Sequence, residues 1–220
     1  MTIADPHGIW TIIVAAGTAQ RFGGDKLGVV IDPPHGTVLD RSITVAMSAG
    51  DGVVVVVGAD SPLLTREHPP ELRFVAGGAT RSASVRAGLA AVPATASVIL
   101  VHDGARPLAS AELYRRVIDA IAGGAGVVIP VVAVVDTIRA VAGGVVDRDG
   151  LRAVQTPQGF RGDVLRAAHA EGAEATDDAA LAEALGAAVT LVEGETTNLK
   201  ITRPVDLVVA RSYLEDSDDA

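Results

Sequence analysis

Short runs of Val and Ile alternate along this chain with longer stretches in which Ala and Leu recur at helical spacing. Such alternation is the signature of βαβ units and a mostly parallel sheet. It predicts strands over Trp10–Ala15, Val53–Val57, Arg73–Val75, Val98–Val101, Val127–Ile129 and Val189–Val192. These runs are apolar almost throughout rather than at every second position, so helices must cover both faces of the sheet. Cap residues mark where the helices begin. Val38–Ala49 follows Thr37, Ser82–Ala91 follows Thr80, and Ala111–Ala122 follows Ser110 and ends at Gly123-Gly124. Ser61-Pro62 pairs a cap with proline at a first helical position. Further helices are expected over Gly162–Glu171, over Asp177–Leu185 with Thr176 as cap, and from Pro204 to about Leu214, before an acidic tail expected to fray.

One region breaks the alternation. Val134–Val141 and Val145–Arg148 read as β segments joined by Gly143-Gly144, a hairpin inside a βα chain. An isolated hairpin is marginal in water unless it packs on something. An arm reaching a second subunit and a flap at the sheet edge both meet that need.

Composition narrows the class. The chain has 220 residues, 49% of them hydrophobic, enough for the core of one domain, and no internal repeat or linker marks a second. A net charge of -9 argues against a broad surface for nucleic acid or anionic lipid, so any anionic ligand must be met by local cations. The chain has no Cys, which excludes disulfides, thiolate metal sites and Cys nucleophiles and fits a cytoplasmic setting. The apolar run Val127–Val135 is far shorter than the roughly 18 residues of a membrane span. A soluble cytoplasmic protein is the expectation.

Polar chemistry gathers where predicted strands end. After Ile12–Ala16 comes Gly17-Thr18-Ala19-Gln20-Arg21-Phe22-Gly23-Gly24-Asp25-Lys26. Glycines let backbone N–H groups close on an anion, and Arg21 and Lys26 add full positive charge. The spacing fits neither the P-loop nor the dinucleotide fingerprint, and taken alone the segment is equally an ordinary βα connection. Val101-His102-Asp103-Gly104-Ala105-Arg106-Pro107 presents His, Asp and Arg at another strand end, where open α/β sheets bind ligands. Asp103 could accept hydroxyl hydrogen bonds or lie near a phosphate-bound metal, and Arg106 could clamp a phosphate. An Asp turn with an Arg salt bridge is the plainer alternative, and His102 reads as an orienting residue. Gly77-Gly78-Ala79-Thr80-Arg81-Ser82-Ala83-Ser84 is a second glycine-rich entry into a helix.

Taken in order, these segments with Asp136-Thr137, Asp147-Arg148-Asp149-Gly150-Leu151, Gln155-Thr156-Pro157-Gln158, Thr176-Asp177-Asp178-Ala179 and Asn198-Leu199-Lys200-Ile201-Thr202-Arg203-Pro204 closely resemble the 2-C-methyl-D-erythritol 4-phosphate cytidylyltransferase family. The resemblance runs from about Thr11 to Leu214 and extends to the related ribitol-5-phosphate cytidylyltransferases. It implies a Rossmann-like α/β fold and a Mg²⁺-dependent transfer of CMP from CTP to a polyol phosphate. It implies transition-state stabilisation by Arg21 and Lys26, and positioning of the acceptor phosphate by Arg148 and Lys200. CTP contacts fall on Ala15, Ala16, Gly17, Gly77 and Ser84, while Asp103, Arg106, Thr137 and Thr156 fall around acceptor and metal. A homodimer that exchanges its arms, at about residues 133–149, is also implied. A non-catalytic nucleotide-binding protein on the same fold is the alternative from another class.

The chain departs from the family pattern in places. Asp25 stands where a proline usually precedes the loop lysine, and a carboxylate there would repel a triphosphate. Leu27-Gly28 is unusual, and both the segment between Arg21 and Lys26 and the arm are short.

Overall fold

A computed structural model describes residues 8–17, 22–34 and 36–218, with side chains to Glu215. In chain order the elements are β1 (Ile9–Val14), β2 (Val30–Asp32), β3 (Gly36–Thr37), α1 (Val38–Ser48), β4 (Gly52–Val57), β5 (Leu72–Ala76), α2 (Arg81–Ala91), β6 (Val98–Asp103), α3 (Ala111–Ala122) and β7 (Val127–Ala133). There follow β8 (Ile138–Arg139), β9 (Val145–Val146), β10 (Arg152–Val154), β11 (Gln158–Arg161), α4 (Gly162–His169), α5 (Asp178–Ala184), β12 (Val189–Glu193) and α6 (Pro204–Asp218).

The main sheet runs β7, β11, β6, β1, β4, β5, with β12 on the outer side of β7 and β10 on its inner side. Strands β6, β1, β4 and β5 are parallel to one another, as β12 is to β7. Only β10 and β11 run against their neighbours. The expected Rossmann-like, mostly parallel sheet with helices on both faces is therefore what the chain forms. The antiparallel β11 was not expected, because Phe160 is the only large apolar residue in Gln158–Arg161 and Pro157 precedes it.

Continuous apolar strands are sorted by parity, since successive side chains point to opposite faces. Ile12, Val54, Val56, Ile99 and Val101 meet Val85, Leu89 and Leu165 of α2 and α4 on one face. Ile13, Val53, Val55, Val57, Val98 and Leu100 meet Leu113, Val117 and Ile121 of α3 on the other. At roughly 25 cal/mol per Å² of apolar area removed from water, these two layers are the main source of stability. Gly52 is the first residue of β4, lying under the Trp10 ring, and a Cβ there would sit 2.6 Å from that ring.

Most caps fall where the sequence places them. Thr37 forms a capping box with Asp40, and Thr80 and Ser110 accept from Ala83 and Leu113. At Ser61-Pro62 a short 3₁₀ turn, Pro62–Thr65, replaces a full helix. The cap of α5 is Asp177 rather than Thr176, its carboxylate accepting from the Ala180 N–H at 2.9 Å. The last helix runs past Leu214 to Asp218, and residues 219–220 lie outside the described residues. The hairpin is shorter than expected, limited to the pairs Ile138 with Val146 and Arg139 with Val145. Its Val135, Val141 and Val145 are exposed.

At the corner between β11 and α4, the Gly162 N–H donates to the Ser97 carbonyl at 2.8 Å, and a Cβ on residue 162 would lie 2.2 Å from the Ala96 carbonyl oxygen. That neighbour is backbone and cannot rotate away. Gly162→Ala is expected to cost about 1–3 kcal/mol of unfolding free energy. Urea denaturation of the two proteins at neutral pH measures it.

Candidate active site

The sheet reverses its direction of winding at β1, which is flanked by β4 on one side and β6 on the other. Open α/β sheets bind ligands at such a switch point, outside the carboxyl ends of the strands. The ends are in register here: Ala15 N–H donates to Val56 C=O at 2.8 Å, and Gly104 N–H to Val14 C=O at 3.1 Å. Above them opens a cleft of ≈ 600 Å³, lined by Val14 to Gly17, Lys26, Leu27, Gly78 to Arg81, Ser84, Asp103, Ala105, Lys200 and Thr202. That volume suits a ligand of nucleotide size.

Backbone forms the floor. Gly77 lies directly beneath the lining, where a Cβ would come within 2.5 Å of the Ala16 Cβ and 2.9 Å of the Ser84 Oγ, so only glycine lets the two strand ends meet. Ser84 is buried, accepts from the Gly78 N–H at 3.2 Å and donates to the Thr80 carbonyl at 2.9 Å, holding the entry to α2.

Cations line the walls. Lys26 Nζ crosses to the Ile201 carbonyl at 2.8 Å, and Lys200 Nζ meets Asp103 Oδ2 at 2.7 Å. Burial pushes the Asp103 carboxyl up, but the charge and hydrogen bond of Lys200, with Arg81 and Arg106 adding, outweigh burial and hold it below the usual carboxylate range. Arg81 faces the cleft and pairs with Asp178 at 2.7 Å, a fully buried carboxylate that also meets buried His169 at 3.0 Å. A buried charge left alone would be costly, so this pair fixes the guanidinium at the cleft wall.

Beneath Asp103 lies a polar bracket. His102 is fully buried and lies between the Arg106 carbonyl at 3.2 Å and Thr156 Oγ1 at 3.1 Å, and that hydroxyl accepts from the Asp103 N–H at 3.0 Å. A neutral ring protonated on Nε2 satisfies the whole chain: Nε2–H donates to the carbonyl and Nδ1 accepts from the hydroxyl. Arg106 donates to the carbonyls of Asn198 at 2.7 Å and Val154 at 3.3 Å. Gln155 and Asn198, both buried, tie residues 154–156 to the segment bearing Lys200.

The residues singled out from the sequence separate into groups. Ala15, Ala16, Gly17, Lys26, Ser84, Asp103 and Lys200 line the cleft together, with Gly77 under it. Thr156 and Arg106 sit below, and the Arg106 guanidinium, expected to clamp a phosphate, is engaged with backbone carbonyls. Thr137 and Arg148 lie on the arm, exposed and outside the lining, where Arg148 donates to the Val135 carbonyl. Arg21 lies outside the described residues. Arg81 lines the cleft although its motif alone assigns it no role; its signal is the glycine pair before it, and its partner Asp178 is distant in sequence. Asp25, expected to oppose a triphosphate, turns its carboxylate onto the Leu27 and Gly28 amides.

Fold and cleft define the class: an α/β protein with a cleft at the switch point of its sheet, lined by glycine-rich backbone and by Lys26 and Lys200. Comparison with known proteins narrows it. The family model for 2-C-methyl-D-erythritol 4-phosphate cytidylyltransferase matches residues 9–216. A relative of that name from Rhodococcus jostii (strain RHA1) is 42% identical, over 97% of this chain and 99% of its own. One from Thermosynechococcus vestitus is 52% identical, over 93% of this chain and 94% of its own. The crystal structure of 2-C-methyl-D-erythritol 4-phosphate cytidylyltransferase from Thermus thermophilus superposes with a TM-score of 0.79 at 39% identity, covering 94% of this chain and 99% of that one. The chain belongs to the 2-C-methyl-D-erythritol 4-phosphate cytidylyltransferase family, and is thus a nucleotidyltransferase.

Burial pushes the His102 pKa down to about 4, against the raising pull of Asp103 and of two backbone hydrogen bonds. The unfolded chain therefore binds this proton first as pH falls. Stability is full above the unfolded value of 6.5 and is lost progressively as pH falls toward about 4, by roughly 3 kcal/mol for this group. Asp103 acts in the same direction but only at lower pH, below the ordinary carboxylate value of 3.8. His102→Gln is expected to flatten the slope between pH 6.5 and 4.5, as read from urea unfolding at a series of pH values.

Proposed function

We propose that the cleft binds CTP and transfers its cytidylyl group to the phosphate of 2-C-methyl-D-erythritol 4-phosphate, releasing pyrophosphate in non-mevalonate isoprenoid synthesis. The observation that carries this reading is the convergence of Lys26 and Lys200 beside Asp103, over the glycine-rich end of β1. An oxygen of the acceptor phosphate attacks the α-phosphorus of CTP, a new P–O bond forms, and the bond to the β-phosphate oxygen breaks as pyrophosphate leaves.

A phosphate monoester with a second pKa near 6 is mostly a dianion at neutral pH and needs no general base. The barrier lies in bringing it against a polyphosphate, so positioning and charge neutralisation supply the catalysis. Lys26 and Arg21 stabilise charge developing at the α-phosphate. Lys200 holds the acceptor phosphate, with Asp103 fixing its ammonium. The Ala15–Gly17 backbone, Gly77 and Ser84 receive the nucleotide.

Among the described residues no three His, Cys, Asp or Glu side chains cluster as metal ligands, and Asp103 is the only carboxylate lining the cleft. That suits Mg²⁺, which binds through one or two carboxylates and substrate phosphates and keeps several waters. Asp103 and the triphosphate would hold it, and it would supply further neutralisation of phosphate charge.

In this reading residues 1–220 are one catalytic domain, working in the cytoplasm without nucleic acid. No helix among the described residues is long and apolar enough to cross a membrane. The exposed valines of the arm seat it on a second copy, so that Thr137 and Arg148 complete the partner's cleft.

Pyrophosphate release from CTP with a panel of polyol phosphates tests the assignment, methylerythritol phosphate being the expected acceptor ahead of ribitol phosphate. Lys26→Ala is expected to lower kcat by about 10²–10³ with a smaller change in KM for CTP, because its main contact forms in the transition state. Steady-state kinetics measures both. Mixing Lys26→Ala with Arg148→Ala subunits should restore part of the activity, since a mixed dimer with crossed arms carries one intact site. A well-exchanged mixture no more active than its parents would rule out crossing arms.

A further inference from the structure

The loop that delivers Lys26 is closed by the residue before it. Asp25 is exposed and does not line the cleft. Its Oδ1 accepts from the N–H of Leu27 at 3.2 Å and of Gly28 at 3.1 Å. Its Oδ2 fills the space over Gly28, where a Cβ would lie 2.4 Å away. Aspartate at 25 and glycine at 28 therefore fit each other: the carboxylate needs the empty position and the two free amides.

Beyond this turn the loop is stitched to α1. The Leu27 and Val29 carbonyls accept from the N–H groups of Leu39 at 3.1 Å and Val38 at 3.0 Å, donors that have no partner within their own helix. Leu27 packs its side chain into the core beneath α1. Lys26 thus leaves a backbone whose direction is set on its C-terminal side by a side-chain turn and by a helix start. A proline before the lysine, as in the resembling family, restricts the backbone through its ring; an aspartate can restrict the same stretch through hydrogen bonds.

We propose that Asp25 is a positioning residue for Lys26, and that Asp25 and Gly28 act as one coupled pair that aims the lysine into the cleft. The inference rests on the assignment of Lys26 to the CTP phosphates. Asp25 acts through its acceptor oxygens rather than its charge, and this separates it from a carboxylate that opposes the nucleotide.

The test is a set of variants, Asp25→Asn, Asp25→Ala, Gly28→Ala and the Asp25→Ala/Gly28→Ala double, read by steady-state kinetics with CTP and by amide hydrogen exchange at Leu27 and Gly28. Asn keeps the acceptor, so kcat should stay within about twofold of the parent. Asp25→Ala should lower kcat by about ten- to a hundredfold with KM for CTP changed less than about threefold, and should speed exchange at both amides. Gly28→Ala should lower kcat comparably, and the double variant should be no worse than Asp25→Ala, since the colliding carboxylate is gone. Three outcomes would overturn the proposal: tighter CTP binding in both Asp25 variants, slow exchange retained in Asp25→Ala, or fully additive losses in the double variant. Should the parent release no pyrophosphate from CTP, the proposed function fails by itself, and the exchange measurements still decide whether the pair holds the loop.

Discussion

Lys200 reaches the cleft because the strap from Glu195 to Ile201, between β12 and α6, is bound across the end of β6. The Ile201 N–H donates to the Ala105 carbonyl at 2.8 Å, Arg106 takes the Asn198 carbonyl, and Lys200 closes on Asp103. At the strap's start, Ser110 donates to Glu195 through its backbone N–H and its hydroxyl, which joins the strap to the N-terminus of α3, where a carboxylate is favoured. Gln155 supplies both donor and acceptor to strap backbone. Were the strap to lift, Lys200 would leave the cleft, Asp103 would lose its nearest cation, and Lys26 would lose the Ile201 carbonyl. Most of the polar geometry of the site is thus conditional on one docked, irregular segment.

This dependence suits a reaction between two anions. The chain carries a net charge of -9, yet the cleft is lined by Lys26, Lys200 and Arg81 against a single carboxylate among the described residues. Concentrating positive charge in a narrow space is unfavourable without a ligand. Here each cation has a place to rest: a carbonyl for Lys26, Asp103 for Lys200 and buried Asp178 for Arg81. Phosphates arriving in the cleft exchange one set of partners for another.

Strands were legible because burial on both faces leaves an unbroken Val and Ile run, and helices because their caps are local. β11 was not, since it lies deep in the sheet with little apolar content of its own and owes its place to neighbours. The lysines and the glycine-rich turns stood out by residue type. What they are tied to did not: Asp103 with Lys200, Arg81 with Asp178 and Gln155 with Asn198 are partners far apart in the chain, and no local pattern announces them. Arg106 shows the same limit. Its sequence context fits a phosphate clamp, whereas it lies 3.9 Å from Asp103, the plainer Asp–Arg pairing, and donates to carbonyls supplied by two distant segments.

The valine run of β4 has a consequence for how the sheet finds its alignment. Val53 to Val57 present the same side chain to both faces, and all are buried. Sliding such a strand by one residue would exchange one valine for another, so its own packing hardly distinguishes the correct pairing from a shifted one. The distinction comes from its first residues. Asp51 receives the Ile9 N–H on its carboxylate at 2.7 Å and returns its own N–H to the Ile9 carbonyl at 2.8 Å. Gly52 then leaves the space that the Trp10 ring fills. A slipped strand would set a valine under that ring and break the exchange at Asp51. The strand that is most uniform in sequence is therefore indexed from one end, like a ruler with a single mark.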